Sequence, residues 1–139
     1  MRDNSSGRAL LRRRTWAKFY SDLSKELVEE SWRIGITPAQ MSEWTIQHAE
    51  TEVCEMPSLG LYREVIHEKL SDTQLQWESN DLTDMIYLTA AAGYCNQVVG
   101  ERSHASHINN SSRRLRRAQN THRNLRTFLD KLELPELTG

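Results

Sequence analysis

The sequence predicts a helix-rich α/β domain, with an all-α bundle as the alternative, and three observations lead there. Only six glycines and three prolines interrupt 139 residues, so there are few points at which a helix must stop. Apolar residues recur at steps of three and four along most segments, the spacing of helices that bury one face. Gln97-Val98-Val99-Gly100 is a short β-branched run after a Gly-Tyr turn, which suits a buried parallel strand better than a surface helix. A lone strand is not stable, so this one requires a partner elsewhere in the chain or the all-α alternative holds.

The elements follow in order. Trp16, Phe19, Tyr20, Leu23 and Leu27 mark an amphipathic helix over about 9–33 that ends near Gly35. Thr37-Pro38-Ala39-Gln40 is a helix start, with Thr37 as cap, Pro38 in the first helical position and Gln40 closing a capping box. That helix is expected to run to Cys54, with Met41, Trp44 and His48 facing inward. Pro57-Ser58 opens the next, whose stripe is Leu61, Tyr62, Val65, Ile66 and Leu70. Ser79 or Asn80 caps a fourth helix containing Leu82, Met85, Ile86, Leu88 and Ala90-Ala91-Ala92, small residues that imply close packing. After the strand, 103–118 reads as a basic helix. Leu125, Phe128, Leu129 and Leu132 form a last helix stopped by Pro135.

Composition sets the class. With 37% hydrophobic and 27% charged residues, the chain suits one globular domain over 1–139. No apolar run reaches membrane-spanning length, and Met1 to Gly7 lacks the apolar stretch of a signal peptide, so a cytoplasmic location off the membrane is expected. Cys54 and Cys95 are too few and too isolated for a disulfide framework or zinc site, and both read as buried thiols. Serine- or cysteine-based triads, phosphate-cradling glycine loops and dinucleotide fingerprints are absent.

Charge is segregated along the chain. Residues 1–21 carry six Lys/Arg, residues 22–101 carry 15 acids against four bases, and residues 102–129 carry seven Arg and no acid. Arginines in a basic segment over 103–124, Arg113, Arg114, Arg116 and Arg117 among them, would hold a phosphate backbone, unless the basic ends merely neutralise the acidic middle. His104 and His107 sit among Ser and Asn and read as a solvated face.

Asp81 and Asp84 share one face of the fourth helix's first turn, and Glu101 follows the strand. In an α/β layer, residues beyond a strand's carboxyl end and at a neighbouring helix N-terminus converge. Three carboxylates meeting there would suit Mg²⁺ or Mn²⁺, ions that promote phosphodiester hydrolysis. The plainer reading is that Asp81 and Asp84 simply favour a helix N-terminus.

The segment 80–102, with Asn80-Asp81, Asp84, Leu88, Ala91, Tyr94, Val98-Val99 and Glu101-Arg102, resembles the carboxyl-terminal half of PIN-like proteins. The resemblance extends weakly to Met56-Pro57-Ser58, Trp77 and the final helix. It implies a three-layer α/β/α fold around a small parallel sheet and Mg²⁺- or Mn²⁺-dependent ribonuclease activity. Many such proteins are toxins paired with an antitoxin protein. By this resemblance Asp84 and Glu101 would be catalytic and bind the metal, with Asp81 assisting. The chain departs from the pattern in three places. The family's first strand and its Asp have no counterpart, so the fold is expected to be incomplete at its N-terminus, with Glu29 or Glu30 as the other helix acid. Asn96 stands where relatives carry Asp. The last strand would fall on Asn120 to Asn124, a poor strand sequence. A non-catalytic helical module binding nucleic acid or a partner protein is the alternative function.

Overall fold

In the computed structural model, which describes residues 4–132, seven helices and two short strands follow in the order α1 (Asn4–Arg33), α2 (Pro38–Gln47), α3 (Ala49–Glu55), α4 (Pro57–Ser71), α5 (Asp81–Tyr94), β1 (Val98–Val99), α6 (Arg102–Arg114), β2 (Thr121–His122) and α7 (Leu125–Lys131). The fold is therefore helix-rich with a two-stranded parallel sheet. None of the described helices is long and apolar enough to cross a membrane. Pro135, the expected stop of the last helix, lies outside the described residues.

The predicted stripe of α1 meets α4. Phe19 is buried, its ring 5.9 Å from Tyr62, and Trp16 stacks on Phe19 at 5.8 Å. The helix ends as expected at Gly35, whose φ of +82° suits glycine. Ile36 N–H bonds back to Ser31 O at 2.9 Å and Gly35 N–H to Trp32 O at 3.1 Å, which satisfies the last carbonyls.

Thr37 and Gln40 form the predicted capping box, but the helix does not continue to Cys54. It breaks at His48, where φ and ψ are −126° and −30°. The break turns α3 onto α4, so that Ala49 and Val53 are buried while α2 buries no residue at all. Met41 and Trp44 are consequently half-buried and His48 is exposed, a correction to the inward stripe expected of one long helix.

The core lies where α4, α5 and α6 meet, at Leu61, Val65, Met85, Ala92 and Ile108. Small residues bring the helices close, as the alanine triplet implied. A Cβ on Gly93 would stand 2.7 Å from the Pro57 carbonyl carbon, and one on Gly60 would stand 2.3 Å from Cys54 O. Leu70, Leu82 and Ile86, expected in the apolar stripes, are exposed. Cys54 is half-buried and Cys95 exposed, against the expectation of two buried thiols, because Cys95 caps the C-terminus of α5 at the surface.

The strand at Val98–Val99 has its partner. Thr121–His122, the sequence that promised a poor strand, runs parallel to it, with Val98 opposite Thr121 and Val99 opposite His122. Polar side chains rather than apolar burial hold β2. Asn120 Nδ2 donates to Ala92 O at 2.9 Å and Cys95 O at 2.8 Å, and Asn109 Nδ2 donates to Thr121 O at 2.7 Å. With α6 connecting them, β1 and β2 make one β-α-β unit.

Candidate functional site: carboxylates around His104

Two helices begin at the same end of the molecule, beyond the carboxyl end of β1. Asp81 is the first residue of α5, Asp84 lies one turn on, and Glu101 is the N-cap of α6 with His104 in the first turn behind it. His104 is buried, its side chain 6% exposed, and its Nε2 stands 3.7 Å from Asp81 Oδ1, 3.7 Å from Asp84 Oδ2 and 3.9 Å from Glu101 Oε2. The three carboxylates singled out in the sequence thus face one imidazole. None of these separations is a hydrogen bond, and the buried Nδ1 has no partner among the described residues.

A fifth group completes the cluster. Lys69 on α4 is 3% exposed at its side chain, and its ammonium stands 3.4 Å from Asp81 Oδ2 and 5.1 Å from the ring centre of Trp77. The Asp81 carboxyl is held below the usual carboxylate range, chiefly by the hydrogen bond it accepts from Glu78 N–H at 3.0 Å. The charges of Lys69 and His104 add to this against the opposing effect of burial.

Two ligands of one ion, each about 2.1 Å from it, stand up to about 4.2 Å apart. Each carboxylate taken singly therefore lies within reach of an ion shared with His104. Among the described residues, however, no group of three or more His, Cys, Asp or Glu side chains is placed to hold a metal ion. The Lys69 ammonium already sits against Asp81. As arranged, the cluster does not fit a divalent ion.

The other sequence candidates are dispersed. Glu29 and Glu30 pair with Lys25 and Arg33 along α1 itself. Asn96 is exposed in the turn before β1. Of the four arginines, two are engaged within the fold. Arg114 binds Glu64 and Glu68 on α4, and Arg117 donates to the carbonyls of Cys54, Met56 and Pro57. Arg113 and Arg116 are exposed and have no ion pair among the described residues. Arg116 adopts φ 57° at the end of α6, where Arg117 N–H bonds Ser112 O at 2.8 Å. His107 is no solvated residue either, since its Nδ1 stands 3.0 Å from Glu68 Oε1.

No family model, curated protein or solved structure matches the chain.

Sequence reasoning missed Lys69 and misread His104. A single lysine in a helix carries no motif, and the Ser/Asn neighbours of His104 suggested solvent. The available signal was the polar character of α6 as a whole, whose Ser111 and Ser112 are buried against the core along with His104.

Proposed function

We propose that the chain is a PIN-like domain related to the Mg²⁺- or Mn²⁺-dependent ribonucleases of toxin type, with a degenerate hydrolytic centre, and that it associates with RNA without cutting it. The observation that carries this reading is that Asp81, Asp84 and Glu101 each face the His104 imidazole, at 3.7, 3.7 and 3.9 Å from its Nε2, beyond the end of β1 and next to a parallel β-α-β unit. That is where an open α/β sheet places its ligands. A three-layer α/β/α arrangement is part of the same proposal, with β1 and β2 as its carboxyl-terminal pair of strands. In the active relatives the resemblance implies, a divalent ion among such carboxylates orients water and stabilises charge on the attacked phosphate. Here the departures at Asn96 and at the first strand's Asp weaken that centre. Arg113 and Arg116, together with Arg102, supply the charge that holds a phosphate backbone.

The test is a filter-binding titration of single-stranded RNA at several salt concentrations. Association is expected to weaken with salt. The slope of log K against log salt should become shallower by about 1.4 in Arg113→Ala/Arg116→Ala, since each phosphate contact to a single strand contributes about 0.7. Asp84→Asn should leave binding unchanged. Absence of salt-sensitive association would remove the RNA partner from the proposal.

A second reading, a protein-binding module, is favoured by one observation. Leu27, Ser31, Ile34, Ile36, Met41 and Trp44 line an open groove of about 420 Å³ between α1 and α2. Trp32 and Ile46 nearby are 70% and 80% exposed. Glu30 also lines the groove, and residues 26–55 carry seven acids against Arg33 alone. A basic amphipathic helix, such as a segment of an antitoxin-like protein, matches that apolar floor, the Glu30 carboxylate beside it and the acidic charge of the surrounding segment. Ile34→Asp/Trp44→Ala is expected to abolish binding of such a peptide by calorimetry while RNA binding persists. Unchanged peptide affinity would exclude the groove.

A further inference from the structure

We infer that the outer face of α1 is an interface between two copies of this chain, packed antiparallel about a two-fold axis at Ser21, with Leu10 of each copy seated in the groove between α1 and α2 of the other.

α1 runs for 30 residues, about 45 Å of helix, and only one side of it packs into the fold, where Thr15 and Phe19 are buried. On the other side Leu10, Arg14, Ala17, Ser21, Val28 and Trp32 recur at steps of three, four or seven, and all are exposed. Such spacing lays them in one stripe along the helix. Leu10, Val28 and Trp32 are 51%, 44% and 70% exposed. The stripe is thus apolar at both ends and small in the middle, where Ala17 and Ser21 let a second helix approach. Around Val28 and Trp32 it widens into an open groove of about 360 Å³ against Pro38, Ser42 and Ile46 of α2, and Ile46 is 80% exposed. Contiguous apolar exposure of this kind marks an association surface. The groove adjoins the one lined by Ile34 and Trp44 and shares Met41 with it, whereas Val28, Trp32 and Ile46 line this one alone.

Charge selects what covers the stripe. Residues 8–18 carry five Lys/Arg and no acid, and residues 22–30 carry Asp22, Glu26, Glu29 and Glu30 against Lys25. A second α1 laid parallel sets like ends together, whereas an antiparallel one sets each basic half on an acidic half. With the axis at Ser21, Leu10 falls opposite Trp32, and Arg14 falls opposite Val28 and its neighbour Glu29. Arg13 and Arg14 are exposed and have no ion pair among the described residues. Glu29 is 66% exposed and held only loosely by Lys25 at 3.9 Å, which leaves its carboxylate available to Arg14 of the second copy. The patch is therefore complementary to itself, as a two-fold interface requires, and each contact in it is made twice.

The experiment is sedimentation velocity of the full chain, which should be a dimer at about 100 μM, where an interface of micromolar affinity is filled. Arg14→Glu and Glu29→Arg should each weaken the dimer at least about tenfold, since each swap turns two symmetry-related attractions into repulsions. An equimolar mixture of these two variants should restore it. Trp32→Glu should give a monomer that circular dichroism shows to be folded, because the side chain it replaces lies mostly in solvent. As a second measurement on an otherwise unchanged surface, Ser21→Cys should cross-link to its own counterpart on mild oxidation, identified by the mass of the linked peptide. Val28→Cys should not, because its two copies stand about 20 Å apart along the antiparallel helices. A wild-type monomer at about 100 μM overturns the inference. So does a dimer that Trp32→Glu and Arg14→Glu leave unchanged, or efficient cross-linking through Val28→Cys, which requires parallel helices.

Discussion

Replacing Arg12 and Arg114 together by alanine is expected to lower the free energy of unfolding by about 3–5 kcal/mol, the usual cost of leaving a buried charge without its partner. Glu64 is 1% exposed and lies between them. Its Oε1 is paired with Arg12 on α1, and its Oε2 accepts from Arg114 Nε on α6 at 3.3 Å. One buried carboxylate thus ties α1, α4 and α6 together. The arginines are 46% and 41% exposed, so their own loss costs little and the effect resides in the stranded Glu64. Either single substitution leaves Glu64 one cation, and each should cost clearly less than the pair. Denaturant unfolding of the three variants measures this, and additive small effects would contradict it.

The same arginine sets an acid limit. Burial pushes the Glu68 carboxyl up, but hydrogen bonds from Arg114, His107 and Asn110 outweigh it and hold the group below its usual range. A carboxylate whose folded pKa lies below the unfolded value, about 4.3, contributes stability above that pH and loses it as pH falls through the folded value. In Arg114→Ala the folded value moves back up. The contribution shrinks, and the acid-unfolding midpoint should rise.

Leu61→Ala is expected to cost about 2–5 kcal/mol. Leu61 is 2% exposed in the cluster with Val65, Met85, Ala92 and Ile108, where three helices meet and Gly60 and Gly93 hold the backbones too close to collapse into the space left. Leu82→Ala, on the outer face of α5 at 51% exposure, should stay within about 0.5 kcal/mol of the wild type. Equal effects would mean that α5 packs through its other face.

These residues also mark what the sequence made legible. Helices announced themselves through spacing and caps. The stripe of α1, the Thr37 box and the Gly35 stop are where the pattern put them, because each rests on neighbours within a few positions. The break at His48 did not show, since nothing local forbids a longer helix. It arises from the burial of Ala49 and Val53 on α4, a contact between segments. β2 was discounted for its polar residues, and its stability comes from Asn109 and Asn120, which bond carbonyls distant in sequence. At the candidate site the carboxylates were legible as types at a spacing. The groups beside them, Lys69 against Asp81 and the His104 ring that all three face, were not, because only packing reveals that they are buried.

The proposed PIN-like reading requires RNA binding without hydrolysis. The most direct measurement incubates labelled single-stranded RNA with the wild type in Mn²⁺ and in EDTA, following both retention and strand length. The expected result is RNA bound and intact in both. Cleavage that requires Mn²⁺ and disappears in Asp84→Asn would contradict it.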